Sequence, residues 1–233
     1  MKAIITGATK GIGKAVALKF ASEGFDIAIC SRTETDLDAF AAEVAELYPK
    51  IDVLTMKVDM RDKDQVKSFG EVIKDIWKTV DVLINNAGLF IPGEIHTETE
   101  GSLENMIETN LYSAYYMTRA LIPPMIAAKK GHIFNICSVA SILALPNGGS
   151  YSISKYALMG FSTVLRDEMK DKGVKVTAVL PGATWSNSWA GVELPYERLM
   201  EAKDIANSIW GCYDLGPSAV VEEIIIRPQL GDL

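Results

Sequence analysis

The chain has 233 residues, 48% hydrophobic and 23% charged, enough for one domain that buries a sizeable core without staples. Its formal net charge of −7 excludes the basic footprint of a nucleic-acid binder and reads as a solvated, soluble surface. Cys30, Cys137 and Cys212 are odd in number and far apart, and His96 and His132 are the only histidines, so neither a disulfide framework nor a metal site is expected.

The elements follow in chain order. Residues 2–6 are a short β-branched strand; the opening MKAIITG enters it at once, which leaves no room for a signal peptide. Helix 12–22 ends at Gly24, strand 26–31 follows, and 34–48 is rich in helix-forming alanine, leucine and glutamate. Strand 52–58, helix 63–78 and strand 81–85 come next. Helical stretches are expected around 99–118 and 119–128, as two helices or as one bent helix, with Pro123 and Pro124 kinking the second stretch or lying in its first turn. Strand 132–136, helix 151–172, strand 174–180, helix 203–210 and strand 223–226 complete the chain, and 183–202 is the least regular stretch. Strands alternating with helices of this length predict an α/β fold: one doubly wound, Rossmann-like domain with about seven mostly parallel strands and helices on both faces. The strands are nearly continuous apolar runs, as burial on both faces requires. No run of ~18 apolar residues suggests a membrane span. The cysteine usage suits a reducing compartment, so a cytoplasmic protein is expected.

The first strand runs into TGATKGIGKA, with Gly7, Gly11 and Gly13 in a G-x-x-x-G-x-G spacing. Glycines let a backbone approach a pyrophosphate, and the helix that follows points free N–H groups at the anion. The second strand ends in Ser31-Arg32, where a dinucleotide fold meets the adenosine ribose. A carboxylate there would hold ribose hydroxyls; Arg32, joined by Lys10, favours a 2′-phosphate instead. Asp59, at the end of the third strand, is placed either for an adenine amino group or to cap the next helix. The fourth strand ends in NNAG, 85–88, whose small residues let a cofactor cross the sheet edge.

Within YSISK, Tyr151 and Lys155 stand four apart and share a helix face. A free phenol titrates near 10, and an ammonium about 4 Å away favours its anion enough to make it a competent acid near neutrality. Tyr156 faces elsewhere. The strand before this helix ends at Cys137-Ser138, at the carboxyl edge where an open parallel sheet places its site. Ser138 is positioned to donate a hydrogen bond to a carbonyl oxygen gaining charge; Ser141 and Ser150 are rivals.

Together TGATKGIG, NNAG, MIETN, Ser138, YSISK and Pro181-Gly182 resemble the short-chain dehydrogenase/reductase family along nearly the whole chain. The resemblance implies that Tyr151 is the proton donor, Ser138 polarises the carbonyl, Lys155 assists the phenol and holds the nicotinamide ribose, and Asn110 positions a relay water. It implies a cofactor-contacting set of Gly7, Thr9, Lys10, Gly11, Ile12, Gly13, Ser31, Arg32, Asp59, Met60, Asn86, Ala87, Gly88, Tyr151, Lys155, Pro181, Gly182 and Thr184. Ser186 is an alternative to Thr184 for the carboxamide. Cys137 stands where the family often has serine. The Lys10/Arg32 pair resembles the NADP(H)-preferring branch, and the expected reaction is hydride transfer between NADP(H) and a carbonyl or secondary alcohol. An NAD-dependent alcohol dehydrogenase and a non-catalytic cofactor sensor are the rivals. A homodimer or homotetramer through the 99–118 and 151–172 helices is implied. A short lid around 183–202 carries Trp185, Trp189, Leu194 and Tyr196, which suit either an apolar pocket or packing of the lid. Lys129, Lys130 and Arg166 are scattered candidates for docking an acyl carrier.

Overall fold

The computed structural model describes residues 1–185 and 193–232. Seven strands form: β1 (Lys2–Thr6), β2 (Asp26–Ser31), β3 (Val53–Lys57), β4 (Val82–Asn85), β5 (Gly131–Ile136), β6 (Val174–Pro181) and β7 (Glu223–Ile226). They join one sheet in the order β3-β2-β1-β4-β5-β6-β7, and every pairing is parallel. The order reverses between β1 and β4, which opens a crevice at their carboxyl ends.

Alternation along the strands divides the core. Ala3 and Ile5 of β1 face a cluster that holds Val16 and Phe20 of α1 (Gly11–Ser22), Phe40 of α2 (Glu34–Leu47) and Ile209 of α7 (Ala202–Tyr213). Ile4 faces the opposite cluster, with Phe69 of α3 (Lys63–Trp77) and Leu121 of α5 (Ser113–Ala128). A strand buried on both faces needs apolar residues at every position, which is why these runs carry no polar alternation.

One expectation is corrected between β4 and β5. Of the two arrangements open for 99–128, the run is continuous but starts at Ser102 and distorts near residue 110: α4 (Ser102–Ile107) passes through a π-helical turn (Glu108–Tyr112) into α5. Pro123 and Pro124 lie deep in α5, beyond its first turn. Tertiary packing overrides the local cost: Leu121 and Met125 are fully buried, and a Cβ on Gly70 of α3 would stand only 2.5 Å from the Ala120 Cβ. Helix α6 (Gly149–Met169) begins two residues before the expected start, which keeps Tyr151 in its first turn.

Buried polar side chains tie the sheet to both long helices. Asn85 Nδ2 donates to Thr118 Oγ1 (3.0 Å) and to Asn135 Oδ1 (2.8 Å), and Asn135 Nδ2 donates to Ser162 Oγ (2.9 Å). This chain runs from α5 across β4 and β5 to α6, so the carboxyl ends of these two neighbouring strands are locked in register. Among the described residues, no helix is long and apolar enough to cross a membrane.

His132 is 2% exposed and stacks on Phe134 with ring centroids 3.9 Å apart. Thr177 donates its one hydroxyl proton to Val221 O (2.6 Å), so His132 Nε2 carries the hydrogen in its 2.8 Å contact with Thr177 Oγ1. Burial, helped by Lys175, pulls the imidazole down to about 3. An unfolded chain takes up this proton near 6.5 and the folded one does not, so stability falls as pH drops from about 6.5 toward 3. His132→Leu is therefore expected to lose less melting temperature than the wild type between pH 7 and pH 5, as followed by circular dichroism.

Candidate active site

The turn between β1 and α1 is shaped by glycine. Gly7 has a φ of +63°, and a Cβ there would lie 3.1 Å from Ala87 Cα. On Gly13 a Cβ would stand 2.6 Å from the Gly7 carbonyl oxygen. The turn is fastened to the end of β4: Asn86 Nδ2 donates to the carbonyls of Thr6 and Gly7, both at 2.9 Å. Thr6 Oγ1 accepts from the backbone N–H groups of Asn86 and Ala87, both at 3.0 Å. The first-turn N–H groups of α1 have no helical partner of their own and suit an anion.

A cleft of about 360 Å³ follows this turn, lined by Gly7, Thr9, Lys10, Gly11, Ile12, Gly13, Ser31, Arg32, Asp59, Met60, Asn86, Ala87 and Gly88. It also takes in Arg61, Leu89 and Thr109, which the sequence reading passed over. The cations here differ in commitment. Lys10 Nζ pairs with Asp36 of α2 at 2.8 Å. Arg61 grips Asp59, with Nη2 2.6 Å and Nε 3.2 Å from Oδ2 and Nε 3.1 Å from Oδ1. That hydrogen bonding holds the Asp59 carboxyl below the usual carboxylate range against the opposing effect of burial, with Arg32 adding a weaker pull. Asp59 thus engages Arg61, and the cap of α3 is Asp62, which accepts from the N–H groups of Asp64 and Gln65. Arg32 is exposed on the cleft wall and makes no ion pair among the described residues.

A second cavity of about 480 Å³ shares Ile12, Asn86, Gly88 and Leu89 with the cleft, so the two are continuous. Ser138, Tyr151, Lys155, Pro181, Gly182 and Thr184 line it. Ser138 Oγ accepts from Ala140 N–H (3.1 Å), which leaves its own hydrogen free to donate. Of its rivals, Ser141 is buried and accepts from Ser138 N–H, and Ser150 bonds Glu98; neither lines the cavity. Cys137 is a neutral neighbour, its thiol pushed up chiefly by burial while Lys155 pulls the other way.

Lys155 is 4% exposed. Its ammonium donates to Ile136 O at 2.8 Å and lies 5.7 Å from the centroid of the Tyr151 ring. One partner leaves two of its three N–H donors for a bound molecule. Tyr151 is half-buried and meets Phe90 edge-on at 5.0 Å, whereas Tyr156 is 48% exposed. Asn110 sits in the π-helical turn, a distortion common at functional sites. Its Oδ1 accepts from Leu89 N–H (2.7 Å), and its Nδ2 donates to Leu89 O (3.0 Å) and Ser154 Oγ (2.8 Å). Ser154 in turn donates to Tyr151 O at 2.7 Å. Asn110 therefore braces the floor of the cleft against the helix that carries Tyr151.

The 183–202 stretch is only partly described: Ser186 and Trp189 lie outside the described residues. Trp185 stacks on Tyr196, centroids 6.2 Å apart, and donates its indole N–H to Tyr196 O (2.9 Å). These aromatics pack the lid, and the described apolar wall of the cavity comes instead from Phe90, Val139, Leu145 and Pro146. Lys130 is paired with Asp81 at the opposite edge of the sheet, and Arg166 with Glu222 at 2.7 Å.

An all-parallel doubly wound sheet with a glycine turn, a switch-point cleft and an adjoining Ser-Tyr-Lys cavity defines a dinucleotide-binding oxidoreductase fold. The sequence model described as short chain dehydrogenase matches residues 1–194, and the chain belongs to that family. It is 34% identical to the sepiapterin reductase of Chlorobaculum tepidum, covering 99% of this chain and 97% of that one. The NADP-dependent 3-hydroxy acid dehydrogenase YdfG of Salmonella typhi is 31% identical, over 98% and 95% of the two chains. A metagenomic short-chain oxidoreductase solved in complex with NADP superposes with a TM-score of 0.85 at 30% identity, covering 98% of this chain and 97% of that one.

Because a methyl group at Gly13 collides with backbone, Gly13→Ala is expected to destabilise the fold by about 1–3 kcal/mol. Urea unfolding of the variant beside the wild type measures this directly.

Proposed function

We propose that this protein transfers hydride between NADP(H) and a carbonyl or secondary-alcohol substrate. The observation that carries this reading is the convergence of Ser138, Tyr151 and Lys155 on one cavity that opens into the glycine-turn cleft. The cleft fits a dinucleotide: at Gly7 and Gly13 a Cβ would crowd neighbouring backbone, and the buried Lys155 has donors to spare. Gly7, Gly11, Ile12 and Gly13 would cradle the pyrophosphate, Asn86 to Gly88 the passage over the sheet, Tyr151 and Lys155 the nicotinamide ribose, and Pro181, Gly182 and Thr184 the nicotinamide end. When bound, NADPH supplies the hydride.

Ser138 donates a hydrogen bond to the carbonyl oxygen as negative charge builds there. Tyr151 delivers its phenolic proton to the same oxygen. The Lys155 ammonium, screened from water, stabilises the charge left on Tyr151. The proton returns through a water held on the oxygen lone pairs left to Asn110, whose amide N–H groups are engaged by Leu89 and Ser154. Exposed Ile153, Tyr156 and Val164 on α6 are the surface we assign to contact between copies of the chain.

Tyr151→Phe is expected to lower turnover of an accepted carbonyl by about 10²–10⁴-fold while NADPH binding, followed by its fluorescence, persists. Near-normal turnover would remove Tyr151 from the acid role. With Lys10 committed to Asp36, the preference for a 2′-phosphate falls mainly to Arg32. Arg32→Ala should weaken NADPH by roughly 10- to 100-fold and leave NADH little changed, as read from thermal shifts at equal concentration. If NADH stabilises the wild type as well as NADPH does, the cofactor is NAD(H).

A further inference from the structure

The carboxyl-terminal tail brings a carboxylate into the substrate cavity, and the mechanism above does not use it. Asp232 lines the same cavity as Ser138, Tyr151 and Thr184. Its position is held from three directions. Arg198 donates to Gly231 O (2.7 Å) and Asp232 O (2.9 Å), and Arg227 Nη2 pairs with Asp232 Oδ2 at 2.5 Å. The other oxygen, Oδ1, is shielded from solvent and has no hydrogen-bond partner among the described residues. It lies against Gly182, where an added Cβ would overlap it. The glycine of the Pro181-Gly182 turn thus makes room for the carboxylate.

A carboxylate oxygen shielded from water and without a donor is unfavourable, so it calls for a donor from a ligand. The charges around it narrow that ligand. Among the described lining residues the only other charged group is Lys155, whose remaining donors face the nicotinamide ribose in the reading above. A donor on the substrate therefore finds Asp232, and a substrate carboxylate placed there meets like charge.

We propose that Asp232 is a specificity-determining residue that selects carbonyl substrates bearing a nitrogen-borne hydrogen-bond donor, such as an ammonium, beside the reacting carbon. This rests on the reductase reading given above. Three ketones built on one phenyl carbonyl frame test it with the full chain and NADPH: α-aminoacetophenone, its near-isostere propiophenone, and benzoylformate. In the wild type, kcat/KM is expected to be highest for the amino ketone and lowest for the carboxylate. Asp232→Asn should lower the ratio of amino ketone to propiophenone at least about tenfold, the loss of one charge-assisted hydrogen bond. Arg227→Gln, which releases Oδ2 from its competing cation, should raise that ratio. If the wild type reduces propiophenone but shows no preference for the amino ketone, or keeps it in Asp232→Asn, the inference is overturned and the reductase reading stands. If none of the three oxidises NADPH while NADPH binding is intact, both fall.

Discussion

Lys155 places a positive charge at a position 4% exposed to solvent, and much of the site is arranged around it. Removing an ammonium from water is costly unless other dipoles replace the lost hydration. Here the replacement comes from the Ile136 carbonyl at the end of β5 and from the face of the Tyr151 ring. The charge can therefore sit where it does only while β5 and α6 keep their spacing. The buried chain Thr118–Asn85–Asn135–Ser162 holds that spacing, because each amide would lose a partner if a strand slipped. An apolar core of equal volume would tolerate small shifts that this network penalises.

The same logic explains the π-helical turn. A regular helix through residues 108–112 would have satisfied its own backbone in the ordinary way. The distorted turn carries Asn110, whose amide clasps both backbone groups of Leu89 and also reaches Ser154. The loop after β4 and the helix after β5 are thereby joined through one side chain. Cofactor cleft and substrate cavity share Leu89 and Gly88, so this clasp lies at their junction.

Electrostatics in the cleft are set by competition among fixed partners. Lys10 with Asp36 and Arg61 with Asp59 are local pairs that neutralise one another. Arg32 lacks such a partner among the described residues, so its guanidinium is the one best able to answer a second phosphate. At the other end of the site Asp232 and Lys155 are the two charged groups among the described lining residues. The cavity thus carries charge at two points and is apolar along Phe90, Val139, Leu145 and Pro146, a pattern that orients a small molecule as well as holding it.

Much of this was legible in the sequence because it depends on local chemistry. Apolar runs with period two or none marked every strand, and the glycine spacing marked the turn where backbone must approach backbone. The four-residue step from Tyr151 to Lys155 placed both on one helical face. Other features were not legible because they depend on partners distant in the chain. Pro123 and Pro124 read as a kink or a first turn, yet they lie deep in α5, where packing against α3 outweighs the local penalty. The ion pair of Lys10 with Asp36 joins residues 26 apart in the chain and could not be read from the glycine turn alone. Ser138 was favoured over Ser141 and Ser150 by its place at the strand end, and only folding shows that those two have partners of their own away from the cavity. Asp232 carried no signal at all. An aspartate in Gly231-Asp232-Leu233 is ordinary in sequence, and only its seating on Gly182, with Arg198 and Arg227 behind it, puts it in the cavity that Ser138 and Tyr151 line.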